Sequence, residues 1–353
     1  MKHNFSAGPC ILPRQVIERA ASAVLDFNQS GLSLIEISHR SKDFVAVMDR
    51  AKALALKLLG LEDKGYQALF LQGGASLQFA MVPMNLFHHS AAYLDTGTWS
   101  TKAIEEAKRM GTTHVMASSA DRGYRYIPEG FEVPKGVDYV HYTSNNTIYG
   151  TQMSIFPKAD APMVCDMSSD IFSRQLDFEQ FDLIYAGAQK NMGPAGATLV
   201  VVKESILKKE KGVLPAMLDY QAHIKGESMY NTPSVFAVYV SMLTLEWLDQ
   251  LGGIASIEPK NQEKGRLMYE AIDNSALFEG YAHTKDRSLM NATFNIKQPE
   301  LASRFNELLK EAGIEGLAGH RSVGGYRASM YNALPLSSVQ VLTEVMGYLE
   351  QKG

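Results

Sequence analysis

Short apolar segments alternate with helical ones between about residues 60 and 202, and this alternation constrains the fold more than any other feature. Each apolar segment has the length of a strand, and polar or glycine-rich turns follow most of them. The expected strands are residues 66–71, 91–95, 113–117, 139–143, 163–166, 183–186 and 198–202. Strands separated by helices favour a mostly parallel sheet with both faces covered, so we expect an α/β fold. Such sheets bind their ligands at the carboxyl ends of the strands.

Two residues at expected strand ends form a pair with a specific chemistry. Lys190 follows the strand at residues 183–186, and Asp166 ends the strand at residues 163–166. A lysine held out of water at a strand end has a lowered pKa, so its amine can act as a nucleophile. Pyridoxal phosphate needs a lysine for its Schiff base and an acid that keeps its pyridine nitrogen protonated. Lys190 and Asp166 are therefore candidate catalytic residues; a solvated turn lysine and a helix-capping aspartate are the alternative interpretations.

Composition and charge exclude several other classes of function. The chain of 353 residues has a net charge of −4 and no basic run, which disfavours nucleic-acid binding. No apolar run is long enough to span a membrane. The two cysteines, Cys10 and Cys165, form neither a disulfide framework nor a metal cluster. We therefore expect a cytoplasmic globular protein without a metal site.

A glycine turn and a tryptophan also follow expected strands. Residues 72–76 (QGGAS) connect the strand at 66–71 with a helix expected at 77–87, whose free N–H groups would bind a phosphate. The turn is neither a P-loop nor a GxGxxG fingerprint, so nucleotide cofactors are disfavoured. Trp99 lies just past the strand at 91–95, where it would stack on a planar ring or pack within its own loop.

The rest of the chain predicts a second, smaller α/β domain. Further helices are expected at about residues 13–25, 43–59, 100–110, 234–251, 257–272, 301–312 and 337–351, and further strands at 291–296 and 326–331. The first helix has its expected apolar face at Val16, Ile17, Ala20, Val24 and Leu25. Residues 1–15 look irregular, and residues 218–232 are expected to form an extended polar loop. We expect an N-terminal segment at 1–15, a large cofactor-binding domain at 16–258 and a small domain at 259–353.

Six segments of the chain resemble those of the phosphoserine aminotransferases, a family of class V aminotransferases within fold type I of the pyridoxal-phosphate enzymes. They are residues 5–9 (FSAGP), 38–41 (SHRS), 73–76 (GGAS), 185–191 (YAGAQKN), 231–233 (NTP) and 319–321 (GHR). The run AGAQKN with Gly-Pro after it is highly specific, and the resemblance covers nearly the whole chain. It implies a large domain with a mostly parallel sheet, a smaller α/β carboxyl-terminal domain, and pyridoxal 5′-phosphate as cofactor.

The resemblance also implies a role for each cofactor-binding residue. Lys190 would hold the cofactor and then move a proton at the substrate Cα as general base and acid. Asp166 would face the pyridine nitrogen, and Trp99 would stack on the ring. The other contacts would be Thr147 to the phenolic oxygen, Ala75, Ser76 and Gln189 to the phosphate, and Asn231 and Thr232 to the phosphate from a neighbouring subunit. The family pattern therefore implies a homodimer with shared active sites.

Basic residues suited to a doubly anionic substrate occur in two His-Arg pairs and in one expected strand. Planar guanidinium groups bind carboxylates and phosphates through paired hydrogen bonds. By resemblance, Arg327 would bind the α-carboxylate, and His39 and Arg40 would bind the distal phosphate or carboxylate. His320 and Arg321 would reach the same distal group from the partner subunit. Solvated surface arginines are the alternative interpretation of each arginine.

The activity that the resemblance implies is transfer of an amino group from L-glutamate to 3-phosphohydroxypyruvate, which gives O-phospho-L-serine and 2-oxoglutarate in serine biosynthesis. The related phosphorylated 4-hydroxythreonine step of pyridoxine biosynthesis would fit the same pocket. One residue departs from the pattern, because this chain has Ser76 where some members carry an arginine. One cationic contact to the distal anion is then missing, or it comes from His320 and Arg321 or another basic residue.

Three alternatives remain open at this point. Another class V aminotransferase, of the alanine–glyoxylate or serine–pyruvate type, would not need two His-Arg pairs for an unphosphorylated substrate. A cysteine desulfurase needs a nucleophilic cysteine on a mobile loop, which neither Cys10 near the terminus nor Cys165 in an expected strand provides. A noncatalytic binding protein on the same scaffold is disfavoured because Lys190 and Asp166 are both present.

Overall fold

The computed structural model of the chain describes residues 2–207 and 214–352. The strands are β1 (His3–Asn4), β2 (Tyr66–Leu71), β3 (Ser90–Asp95), β4 (Thr112–Ser118), β5 (Val140–Thr143), β6 (Asn145–Asn146), β7 (Thr151–Gln152), β8 (Met163–Asp166), β9 (Leu183–Gly187), β10 (Thr198–Lys203), β11 (Phe278–Gly280), β12 (Asn291–Ile296), β13 (Ile314–Glu315) and β14 (Tyr326–Ser329). The helices are α1 (Arg14–Leu25), α2 (Lys42–Leu59), α3 (Gly74–Leu86), α4 (Thr98–Lys108), α5 (Ala188–Asn191), α6 (Tyr220–Lys225), α7 (Val235–Gln250), α8 (Ile254–Asp273), α9 (Ala302–Glu311) and α10 (Leu336–Lys352).

A seven-stranded sheet in the order β2-β10-β9-β8-β5-β3-β4 forms the centre of the protein. Strand β10 runs antiparallel to both of its neighbours, and the other pairs are parallel. The expected mostly parallel sheet is therefore confirmed. In its register, Asp166 pairs with Thr143 on one side and with Tyr185 on the other. The carboxyl ends of β5, β8 and β9 consequently lie side by side.

Apolar side chains cover both faces of this sheet. On one face, α1, α2 and α7 pack in a core that includes Leu243 and Ile184. On the other face, α3 and α4 pack in a core that includes Phe79 and Tyr185. Ile184 and Tyr185 are consecutive in β9 and enter opposite cores, as pleated strands require. Burial on both faces explains why this strand is apolar along most of its length.

Besides the cores on the two faces of the central sheet, the carboxyl-terminal region has its own core, called the second core below. In it the sheet β11-β12-β14 packs against α8, α9 and α10. Helix α8 joins the two regions, since Ile257 is buried in the core that contains Leu243 and Met268 is buried in the second core. The domain limit expected after residue 258 falls within this helix. Phe5 also packs in the second core, although it lies far from it in sequence. No helix in the described ranges is long and apolar enough to cross a membrane.

Three local expectations were wrong. The segment at 1–15 is not wholly irregular, because His3–Asn4 pairs in parallel with Ile314–Glu315. The segment at 218–232 contains α6, which Asp219 caps by accepting a hydrogen bond from the Gln221 N–H at 2.8 Å. A helix of six residues is too short to show a helical period in the sequence. On α1, Ile17 and Leu25 are exposed rather than buried, and Ala23 is buried with Val16 and Ala20.

Two of the helices that begin earlier than the sequence predicts affect the candidate site. Helix α3 begins at Gly74 instead of residue 77, after Gly73 with a φ of 88°. Helix α4 begins at Thr98 instead of residue 100. Ala75, Ser76 and Trp99 therefore belong to the first turns of helices, where N–H groups are free of intrahelical partners.

Candidate active site

The three strand ends β5, β8 and β9 bring Thr147, Asp166 and Lys190 together. Lys190 lies in α5, a helix of four residues that continues directly from β9, rather than in an open turn. Its amine Nζ donates a hydrogen bond to the Thr147 hydroxyl at 2.8 Å. Thr147 is buried in the polar segment that follows β5. The expected grouping of these residues at the carboxyl edge is therefore what the fold produces.

The Lys190 amine has the electrostatic environment of a reactive lysine. The pKa of Lys190 is lowered to about 8: burial lowers it most, the charge of Asp166 opposes the shift, and the positive charge of Arg327 adds to it. About a tenth of such an amine is neutral at pH 7, compared with about 1 part in 3,000 for an ordinary lysine. Because only the neutral amine is a nucleophile or a base, the site favours both functions.

Asp166 is a buried carboxylate with one oxygen fully engaged. Its Oδ1 accepts hydrogen bonds from the Ser168 N–H at 2.9 Å and the Ser168 hydroxyl at 2.6 Å. Burial raises the pKa of Asp166, whereas the charge of Lys190 and the Ser168 bonds lower it. A buried carboxylate of this kind is stabilised by a nearby positive charge, such as a protonated ring nitrogen.

Trp99 lies beside the lysine, at the start of α4. The Lys190 Nζ is 5.6 Å from the centroid of the indole ring. Asp95, at the end of β3, holds this helix start by accepting hydrogen bonds from Ser100 at 3.1 Å and Thr101 at 3.0 Å. Asp95 is not among the site residues predicted from the sequence, although an acid between a strand and a helix start is a recognisable signal.

The amino end of α3 offers an anion site. The N–H groups of Gly74, Ala75 and Ser76 precede the first intrahelical bond, which joins the Leu77 N–H to the Gly73 carbonyl at 3.3 Å. Free N–H groups and the helix dipole together favour a phosphate. A Cβ on Gly73 would lie 2.5 Å from a Leu77 carbon, so only glycine fits this turn. Gln189, expected at the same phosphate, directly precedes Lys190 in α5.

Asn231 and Thr232 lie near this turn within the same chain. The Asn231 amide donates to the Gln72 side chain at 3.1 Å, and Gln72 donates to the Thr232 carbonyl at 2.7 Å. Gln72 immediately precedes Gly73. Through these bonds, the segment expected to serve a neighbouring subunit contacts Gln72 of its own chain.

Arg327 reaches the site from β14 of the second core. Its guanidinium donates to the Thr147 carbonyl at 3.3 Å, and its Nε is buried without a hydrogen-bond partner. Burial lowers the pKa of Arg327. No carboxylate among the described residues forms an ion pair with it. An unpaired, half-buried guanidinium is suited to bind an anionic ligand.

The two His-Arg pairs are more exposed. His39 Nε2 is buried without a partner, whereas the Arg40 side chain is exposed and unpaired within the described ranges. His320 Nδ1 accepts from the Ser322 N–H at 3.3 Å, and Arg321 is exposed. Burial lowers the pKa of His320, and so do the charges of Arg327, Arg321 and Lys102. No hydrogen bond or ion pair of the described residues joins Arg40 or Arg321 to Lys190.

The residues present fit pyridoxal phosphate. A reactive amine and a buried carboxylate lie on adjacent strand ends, with an aromatic ring beside the amine and free helix N–H groups at the neighbouring turn. Among the buried side-chain atoms without a protein partner, Trp99 Nε1 and Arg327 Nε belong to residues beside Lys190, as expected where a polar ligand belongs. In the described part of the chain, no group of histidine, cysteine and acidic residues could hold a metal ion.

Comparison with known proteins defines the class. The sequence profile of the family described as "Aminotransferase class-V" matches residues 2–342. The chain therefore belongs to the class V aminotransferases, and it is an aminotransferase that depends on pyridoxal phosphate.

Several relatives have a narrower description. A phosphoserine aminotransferase of Flavobacterium johnsoniae is 64% identical over 353 residues, which cover 99% of each chain. The solved phosphoserine aminotransferase from Bacillus circulans subsp. alkalophilus is 43% identical and superposes with a TM-score of 0.96, covering 100% of this chain and 99% of the other. A structure of the phosphoserine aminotransferase from Trichomonas vaginalis with pyridoxal phosphate bound is 35% identical with a TM-score of 0.93, covering 98% and 100%.

Proposed function

We propose that this protein transfers the amino group of L-glutamate to 3-phosphohydroxypyruvate and so forms O-phospho-L-serine and 2-oxoglutarate for serine biosynthesis. The observation that carries the proposal is the placement of an unpaired guanidinium, Arg327, beside the lowered-pKa amine of Lys190. The identity of 64% to a phosphoserine aminotransferase over the whole chain supports the same substrate pair.

Two residues perform the proton chemistry in this proposal. When bound, pyridoxal phosphate supplies an electron-accepting ring that stabilises negative charge at the substrate Cα. The Lys190 amine would take the proton from that carbon as a base and release it again as an acid. Asp166 would keep the ring nitrogen protonated. Lys190 is the positive charge that acts on its buried carboxylate, and the nearby Arg174 is paired with Asp170 instead.

Binding of the two substrate anions is divided between regions of the chain. Arg327 binds the α-carboxylate, since it contacts the Thr147 segment beside Lys190. His39 and Arg40 bind the distal phosphate or carboxylate, and His320 and Arg321 add positive charge to that pocket. Substrates without a distal anion, such as those of the alanine–glyoxylate type, would leave these cations unused.

Arg40→Ala tests the distal-anion assignment. We expect kcat/KM for O-phospho-L-serine to fall about 10- to 100-fold, because a hydrogen bond to a charged group contributes about 1.5–3 kcal/mol. The kcat/KM for L-serine and the affinity for pyridoxal phosphate should change little. Steady-state assays with both amino acids and a cofactor titration measure these quantities.

Arg14→Ala is the matched control, because Arg14 is an exposed arginine whose only described ion pair is with Glu18 of its own helix. It should leave both substrates unaffected. If Arg40→Ala lost cofactor affinity first, or weakened serine and phosphoserine equally, the assignment of Arg40 would be wrong.

We also propose a cytoplasmic homodimer with shared active sites. In this arrangement Asn231 and Thr232 of one subunit complete the phosphate site of the other, and His320 and Arg321 complete its substrate pocket. Exposed apolar side chains support a protein contact, among them Leu25 at 83% and Ile35 at 62% exposure. The same pocket would accept the phosphorylated 4-hydroxythreonine of pyridoxine biosynthesis, which also carries an α-carboxylate and a distal phosphate.

A further inference from the structure

Lys190 lies on a helix that is too short to hold its own position. Helix α5 has four residues and follows β9 directly. A single helical turn has little intrinsic stability, so contacts from outside must fix it. Those contacts decide where the Lys190 amine lies relative to Asp166.

The side chain of Asn191, the residue after the lysine, makes two such contacts. Its Oδ1 accepts a hydrogen bond from the Asn332 backbone N–H at 2.8 Å, and its Nδ2 donates to the Ile171 carbonyl. One partner is a backbone donor and the other a backbone acceptor, so only one orientation of the amide satisfies both. Asn191 is buried, where each lost hydrogen bond would leave an unsatisfied polar group.

Both partners of Asn191 belong to segments that matter for the site. Ile171 follows Asp166 by five residues, in the loop that leaves β8. Asn332 follows β14, the strand that carries Arg327. The Asn191 amide thus joins the lysine helix to the aspartate loop and to the arginine strand at one point.

Two further asparagines extend this connection. The Asn332 amide donates to the Phe172 carbonyl at 2.9 Å, and the Asn261 amide donates to Asn332 Oδ1 at 2.8 Å and to the Ser173 carbonyl at 2.9 Å. Phe172 has a φ of 60°, an unfavourable conformation for a bulky residue that neighbouring contacts must maintain. All three asparagines are buried, and they link α5, the loop after β8, and α8 of the second core.

We infer that Asn191 is a positioning residue for this active site: its side-chain amide fixes the Lys190 amine relative to Asp166 and Arg327. The inference rests on the proposed roles of these three residues. It does not require Asn191 to touch substrate or cofactor. It predicts that loss of the amide disturbs the electrostatic environment of the lysine nitrogen before it disturbs the fold.

The test is Asn191→Ala in the full-length enzyme with its cofactor, read by the pH midpoint of the visible absorbance band. The charged groups that act on the lysine nitrogen are Asp166, Asp170 and Arg327. A loosened helix admits water, which relieves the desolvation that lowers the pKa of this nitrogen. Desolvation is the largest of the causes, so its relief outweighs any weakening of the contacts with the three charged groups. We expect the midpoint to rise by about half a pH unit or more, with kcat reduced more than KM is raised.

Asn85→Ala is the matched control. Asn85 is also buried, its Oδ1 accepts from the Tyr220 N–H at 3.0 Å, and its Nδ2 donates to the Leu218 carbonyl at 2.7 Å. It therefore loses the same types of bond at the far end of α3. Asn85→Ala should lower thermal stability without moving the absorbance midpoint.

Asn332→Ala provides a second variant should Asn191→Ala not fold. It removes the side-chain hydrogen bonds of Asn332 to Phe172 and Asn261, but the Asn332 backbone N–H still donates to Asn191. We therefore expect a smaller shift of the midpoint in the same direction. If both variants lost only as much stability as Asn85→Ala and kept the wild-type midpoint, the positioning role would be refuted. Absence of transamination in the wild type would instead refute the proposed function.

Discussion

Lys190→Ala should lower transamination by a factor of about 1,000 or more, because it removes the group that moves the proton at the substrate Cα. Among the described residues, Lys190 is the lysine whose amine donates to Thr147 at the ends of β5, β8 and β9, so we expect no other amine to replace it. The fold should survive, because the alanine removes a half-buried side chain whose single described hydrogen bond is to that hydroxyl. Rates of phosphoserine formation and thermal unfolding curves measure the two effects.

Lys203→Ala is the control for this variant. Lys203 ends β10, in the same sheet as β9, and its amine contacts the ring of Tyr66 rather than the site. Its turnover should match that of the wild type. A small added amine should partly restore activity to Lys190→Ala, since a free base can enter the vacated space. Activity of Lys190→Ala close to the wild type would remove Lys190 from the mechanism.

Asp166→Asn should reduce turnover by a factor of about 100 or more, because the ring nitrogen loses the carboxylate that keeps it protonated. The change is nearly isosteric, and an amide oxygen can still accept the Ser168 bonds. Stability should be kept or raised, since a buried charge is replaced by a neutral group.

Asp166→Asn should also change the pKa of Lys190 in a defined direction. Asp166 raises the pKa of Lys190 against the effect of burial, so its removal should lower that pKa below about 8. The pH dependence of Lys190 modification by an amine-reactive reagent in the cofactor-free protein, followed by peptide mass spectrometry, measures the shift. A rise would contradict the electrostatic account.

Asp182→Asn is the control, since the Asp182 carboxylate accepts from the Met163 N–H at 2.9 Å at the opposite end of β8. It removes a carboxylate from the same pair of strands but far from the lysine. Both turnover and the Lys190 pKa should stay unchanged.

The sequence predicts the sheet and the residues at its edge because both depend on local patterns. Runs such as residues 183–186 are apolar throughout, since β9 is buried on both faces, and the first polar residues after them mark the strand ends. Lys190, Asp166 and Trp99 were found in this way, and family resemblance added Thr147 and Arg327.

Contacts between distant segments leave no such pattern. The pairing of β1 with β13 involves two residues on each strand, too few for a visible alternation. The bonds of Asn191 join residues 20 and 141 positions away, and each partner offers only its backbone. Asparagine at such a position looks like an ordinary loop residue, so its function becomes visible only in the folded chain.

The most direct test of the proposed function is the visible spectrum of the purified protein with pyridoxal phosphate, recorded before and after addition of O-phospho-L-serine or L-serine. We predict an absorbance band that depends on Lys190, that phosphoserine converts to the pyridoxamine form, and that serine hardly changes. Equal conversion by both amino acids would contradict recognition of the phosphate by Arg40 and its neighbours. Absence of any band, with pyridoxal phosphate in excess, would contradict the central assignment of Lys190.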